Sequence, residues 1–228
     1  KTHEVILFKA GGTIELQTIE TTADNVTALK LLCKTETRSV LRSCGKVRYP
    51  GEARDGLAVS SDSGALSVLD FEHSKLKIVH CVTFGKTACR RSTPGQYLAV
   101  DPAGRAVMVA ATEKRKLVYV LNRDSSGTPT IASPLEAHRN RCITLDTVGI
   151  DNGHGNPIFA TLEYQYPDLD DTIDEDQVPD PIIHMQVAYY ELDLGLNHVS
   201  RRWATNLPLS TACCMASFVL ACTVGMPL

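Results

Sequence analysis

Short apolar runs alternate along this chain with polar punctuation. Tyr97-Leu98-Ala99-Val100 runs into Asp101-Pro102-Ala103-Gly104; residues 106–111 leave that turn, and Leu117-Val118-Tyr119-Val120-Leu121 follows a polar segment at 112–116. These runs are rich in β-branched and aromatic residues, too short for helices, and punctuated by proline and glycine. Residues 97–121 therefore predict a three-stranded antiparallel meander. Proline presets φ at the second turn position, and glycine supplies the positive φ that the exit of such a turn needs.

The same hairpin recurs. Runs 5–8 and 13–17 flank Lys9-Ala10-Gly11-Gly12, runs 57–60 and 65–70 flank Ser61-Asp62-Ser63-Gly64, and runs 107–111 and 117–122 flank 112–116. Gly12, Gly64 and Lys116 hold equivalent places, each 52 residues after the last. Runs 158–164 and 187–192 read as a fourth copy with a swollen loop. Between hairpins there is room for two further strands: 28–32 with 40–47, 76–84 with 97–100, and a weaker run near Ile131 with 142–150. Four strands per period of this size, with little helical signal, make a propeller blade. The predicted fold class is therefore all-β: β-propeller blades, each a four-stranded antiparallel sheet. No Trp-Asp dipeptide occurs, and the period exceeds the roughly 40–45 residues of WD40 repeats. Residues 1–203 hold about four blades of an N-terminal β-propeller, an incomplete one, and 204–228 form an apolar tail. The chain opens on Lys1 without an initiator methionine, which predicts a piece of a longer protein. An unclosed ring leaves strand edges and blade faces bare, so the segment is expected to be poorly soluble on its own.

Composition narrows the function classes. At 228 residues and 43% hydrophobic the chain can bury a sizeable core. A net charge of −3 gives no overall field toward nucleic acid, so only local basic clusters matter. These are Arg90-Arg91, Lys114-Arg115-Lys116, and Arg139 with Arg141, each in or beside a predicted connection. Such clusters suit phosphate or an acidic protein surface, or are simply solvated turns. No aromatic residue is interleaved with them to stack bases, so sequence-specific RNA reading is not indicated. The eight cysteines form no C-x-x-C pair and read as buried free thiols rather than zinc ligands or a disulfide framework. After Arg202 no charged residue occurs, but the final run is short and interrupted, so no membrane span is predicted.

Catalytic and metal motifs fail on inspection. The segment 165–181 carries seven acidic residues. An EF-hand loop counted from Asp168 or Asp170 nonetheless lacks both its glycine and its final glutamate, and a solvated loop is the plain reading. Asp151-Asn152-Gly153-His154-Gly155-Asn156 is the best catalytic candidate, with its histidine between glycines, and equally the best turn. No nucleophile elbow, H-E-x-x-H or P-loop occurs. No catalytic, cofactor-binding or metal-binding residue is assigned, and partner-binding residues are left open. The competing hydrolase reading would place a metal near Asp151-Asn156.

Several strings carry a resemblance: Phe84-Gly85-Lys86, Cys89-Arg90-Arg91, Pro94-Gly95-Gln96, Leu98-Ala99-Val100-Asp101-Pro102, Lys116-Leu117-Val118-Tyr119, Leu121-Asn122-Arg123-Asp124 and Tyr190-Glu191-Leu192-Asp193-Leu194-Gly195. In this order they are similar to the N-terminal propeller of a family of three-propeller scaffolds. That family includes the cleavage and polyadenylation factor's large subunit, damaged-DNA-binding protein 1, and a splicing factor 3b branch. The strings 116–124 and 190–199 resemble the splicing branch. The resemblance implies a nuclear, non-enzymatic scaffold without cofactor. Its partners would be other splicing factor 3b subunits and U2 small nuclear ribonucleoprotein proteins, with at most indirect or backbone-only RNA contact. The other branch implies an adaptor of a ubiquitin-ligase or DNA-damage-binding complex.

Overall fold

The computed structural model describes residues 4–9, 11–21, 25, 27–37, 39–49, 52, 54–72, 75–85, 91–151, 153, 155–166 and 184–208. Among them there is no helix. The first sheet is β1 (Glu4–Lys9), β2 (Thr13–Thr21) and β3 (Thr27–Glu36); the second is β4 (Leu41–Val47), β5 (Gly56–Ser61), β6 (Ala65–Glu72) and β7 (Lys75–Thr83). The third holds β8 (Tyr97–Val100), β9 (Ala106–Ala110) and β10 (Lys116–Arg123), with β11 (Pro129–Ile131) and β12 (Leu135–Glu136) both paired to β10. The fourth is β13 (Cys142–Ile150), β14 (Ile158–Gln165), β15 (His184–Asp193) and β16 (His198–Leu207). Every pairing is antiparallel between sequence neighbours, apart from β12 on β10.

These are the predicted blades, and the chain is an incomplete propeller. The meander at 97–121 is β8–β9–β10. The weak run near Ile131 is an outer strand broken in two, because Pro134 lacks an N–H for the ladder. The expected boundary at 203 falls inside β16, which continues to Leu207.

Each middle strand feeds two cores, because successive side chains point to opposite faces. In the second sheet Leu57 and Val59 pack toward Ile14, Leu16 and Cys33 of the first. Ala58, Leu66 and Val68 pack toward Val107, Val109, Leu117 and Tyr119 of the third. The third turns Ala106, Met108 and Val118 toward Phe159, Ala188, Tyr190 and Leu192 of the fourth. All of β9 is buried for this reason. Each Val or Leu so enclosed stabilises by about 1.5–3 kcal/mol relative to exposure.

The inner strands approach closely around the propeller axis. A Cβ on Gly45 would stand 2.6 Å from Val100 Cγ2, and one on Gly149 would stand 2.0 Å from the Val100 carbonyl oxygen. Beside them lies a cavity of about 540 Å³, bordered by Cys44, Lys46, Arg48 and Pro102. The cysteines correct one expectation. Cys33 and Cys142 are buried free thiols, but Cys44 and Cys81 are exposed. Cys44 lines the cavity, and Cys81 sits on the outermost strand of its sheet.

The 52-residue equivalence is visible in the backbone. The carbonyl of Gly12 accepts from Thr37 N (2.8 Å), that of Gly64 from Phe84 N (2.7 Å), and that of Lys116 from Ala137 N (2.9 Å). In each sheet this bond ties the central hairpin to the chain leaving the outer edge. At the first two positions glycine is required, with φ near +86° and +76° and no room for a Cβ. At the third the left-handed residue is Lys114 instead (φ 55°), which frees position 116 to carry a side chain.

Candidate functional site

Backbone hydrogen bonds gather the predicted basic clusters at one end of the third and fourth sheets. Glu113 N donates to the Arg91 carbonyl (2.9 Å), Lys114 N to that of Cys142 (3.2 Å), Arg139 N to that of Lys114 (2.9 Å), and Tyr166 N to that of Arg141 (3.1 Å). Arg91, Lys114, Arg115, Arg139 and Arg141, all exposed, so form one rim across the junction of two blades. Lys114 and Arg141 both hold left-handed backbone (φ 55° and 54°), the strain that over-determined surface sites retain. Arg90 lies outside the described residues.

Two of the rim's cations meet a side chain of a neighbouring strand or loop. Arg91 Nε meets Glu113 Oε1 at 2.5 Å, and Arg139 Nε donates to the neutral Gln165 Oε1 at 3.2 Å. Lys114 and Arg115 make no ion pair with a described residue. Cations at the opposite end of the sheets are matched: Arg48 with Asp55, Arg123 with Glu52 (2.8 Å), and Arg105 with Asp101 through two bonds of 2.8 and 3.0 Å.

Lys116 corrects the sequence reading. It does not belong to the solvated cluster: its side chain is 0% exposed and turns between the blades to meet the equally buried Glu163 at 3.0 Å. The Glu163 Oε1 atom also accepts from Thr161 Oγ1 (2.6 Å) and Tyr190 Oη (2.9 Å). Burial pushes the Glu163 carboxyl up, but the Lys116 charge and these donors outweigh it, so it is held below the ordinary range. Cys142 Sγ lies 3.7 Å from Lys116 Nζ, and burial pushes its thiol up to about 12, keeping it neutral. Pairing places Thr144, Glu163 and Gln186 side by side across β13, β14 and β15. Thr144 Oγ1, Glu163 Oε2 and Gln186 Nε2 are buried there without a hydrogen-bond partner in the protein.

The loop at 151–156 is used structurally where it is described. Asp151 Oδ1 accepts from Gly153 N (3.2 Å), which has φ 72°; Asn156 Nδ2 donates to Glu191 Oε1 (2.7 Å); and Arg105 Nη1 donates to the Gly155 carbonyl (2.5 Å). Asn152 and His154 lie outside the described residues, as does 167–181 of the acidic segment. Among the described residues no three His, Cys, Asp or Glu side chains converge as a metal site, and no helix is long and apolar enough to cross a membrane.

A stack of propeller blades presenting connections and edges, with a basic rim at one end, is the class of protein defined here. Within that class the chain belongs to the family described as the RSE1/DDB1/CPSF1 first beta-propeller, which matches residues 1–215. It is 47% identical over 171 residues to spliceosome-associated protein 130 A of Arabidopsis thaliana, covering 74% of this chain and 14% of the relative. It is 43% identical over 211 residues to splicing factor 3B subunit 3 of Drosophila melanogaster, covering 91% and 16%. Against pre-mRNA-splicing factor prp12 of Schizosaccharomyces pombe it is 47% identical over 169 residues, covering 72% and 14%. The chain thus spans about one-seventh to one-sixth of the length of these relatives.

Proposed function

We propose that this chain is a non-enzymatic scaffold segment of the splicing factor 3b complex in the U2 small nuclear ribonucleoprotein, acting in the nucleus to support branch-site recognition in pre-mRNA splicing. Its similarity to proteins named as splicing factors carries the reading, with 43% identity across 91% of the chain. The architecture agrees with it: rigid sheets hold connections in fixed geometry, and broad surface rather than a reactive cleft engages partner subunits. The blades that serve this role extend through β16 to Leu207, past the expected boundary at 203. The test is affinity capture of the full-length parent from nuclear extract. Co-recovery of U2 RNA with the other splicing factor 3b subunits is expected. Recovery of a ubiquitin-ligase or damaged-DNA-binding assembly in their place would overturn the reading.

A further inference from the structure

We infer that the cavity at the propeller axis binds the C-terminal end of an extended peptide whose last residues are apolar. The cavity holds about 540 Å³, within the roughly 300–1,000 Å³ of small-ligand sites. It lies among β4, β8 and β13, each the terminal strand of its sheet. The axial edges of these strands have no partner among the described strands, so their N–H and C=O groups are open to an added extended chain.

The lining selects a chain terminus. Lys46 and Arg48 are its charged side chains, and among the described residues no carboxylate borders the cavity. Asp55 meets both cations, Lys46 at 3.6 Å and Arg48 in a closer pair, so one carboxylate answers two positive charges. Both cations are more than half exposed and can turn to a second acceptor. A peptide's α-carboxylate supplies that second negative charge, in a form that both an ammonium and a guanidinium fork accept. Leu98, Val100 and Val148 form an apolar wall beside them. A polar terminus would leave that wall in contact with water, and an uncharged one would leave the cations sharing Asp55. The inference rests on the lining and its charge, and stands or falls separately from the splicing reading.

Fluorescence anisotropy on the whole chain tests it, with a labelled octapeptide that ends in Val-Leu and a free carboxylate. The free acid should bind more tightly than its C-terminal amide by about 10–100-fold, the worth of hydrogen bonds to a charged group. Ending the peptide in Ser-Ser should weaken binding by about tenfold or more, since the apolar side chains then bury nothing. Lys46→Gln leaves the Arg48–Asp55 pair standing and should narrow the gap between acid and amide. Lys46→Gln with Arg48→Gln should close it. Both positions are exposed, so the melting midpoint should move little. Bound peptide should also slow alkylation of Cys44 by N-ethylmaleimide, while Cys81 on β7 reacts as before. Equal binding of acid and amide would overturn the inference, as would binding of neither. So would a gap that the double variant leaves unchanged, or binding that leaves Cys44 unshielded.

Discussion

Removing Lys116 should reverse the pH dependence of stability. At 3.0 Å the Lys116–Glu163 attraction is about 5–6 kcal/mol for an effective dielectric near 20. Desolvating each ion costs several kcal/mol, so the intact pair comes out near neutral. Removing one partner is different, because the other is left charged in a site with no exposure. Lys116→Met and Glu163→Gln should each cost about 3–5 kcal/mol, a large part of the roughly 5–15 kcal/mol that holds a domain folded. The double variant should cost much less than the sum, giving a coupling energy of several kcal/mol in urea unfolding. In the parent, Glu163 is held below its unfolded value near 4.5. Its contribution is therefore full above that pH and lost as pH falls through the lower folded value. Without Lys116 burial dominates, and the folded value rises above the unfolded one. The variant should then gain stability as pH falls toward 4.5 and lose it as pH rises through the raised value. Single variants within 1 kcal/mol of the parent, additive losses in the double, or an unreversed pH dependence would each refute the reasoning.

Further expectations follow from particular contacts. Gly104→Ala should destabilise by more than the ~1–2 kcal/mol of a left-handed alanine, because its Cβ would meet the Arg48 carbonyl oxygen at 1.9 Å; an unchanged denaturation midpoint would contradict this. An experimental density map should hold an ordered water against Thr144 Oγ1, Glu163 Oε2 and Gln186 Nε2, since buried polar groups without protein partners are usually satisfied that way; an empty, well-resolved site would contradict it. Leu29 and Leu31 are each more than half exposed on the outer strand of the first sheet, beside Ile19. Leu29→Lys with Leu31→Lys should therefore reduce self-association in sedimentation velocity, and an unchanged distribution would place the sticky surface elsewhere.

The blades were legible because hairpins keep local chemistry: alternating β-branched residues, turn glycines, and a spacing at which equivalent carbonyls do equivalent work. The split outer strand of the third sheet was signalled by Pro134, read only as weakness near Ile131. Placement of the three basic clusters in connections was legible, but their convergence on one rim was not, since it depends on bonds between neighbouring blades. Lys116 was misread for a related reason. Next to Lys114 and Arg115 it looks solvated, and its partner lies on a different sheet. Two signals existed: a lysine stands where the repeat has glycine, and Glu163 is the lone charge within Ile158-Phe159-Ala160-Thr161-Leu162-Glu163-Tyr164.

That substitution also bears on how like blades keep their order. Two of the three blade-to-blade cores are built mainly of aliphatic side chains, with Tyr49 and Tyr119 in one and Cys33 in the other, and their apolar burial is non-directional. Sliding one such sheet on the next by a residue pair exchanges one apolar contact for another. The junction of the third and fourth sheets tolerates no such slip: it would part Glu163 from Lys116 and leave the carboxylate buried with only the neutral donors Thr161 and Tyr190 of its own sheet. The cost of an unpaired buried charge, about 3–5 kcal/mol, exceeds what a shifted methyl group loses. The repeat could accept a lysine here because Lys114 took over the left-handed turn position while the Lys116 carbonyl kept its bond to Ala137. Backbone periodicity is thus preserved, and the side chain it releases fixes the register of the junction beneath the basic rim.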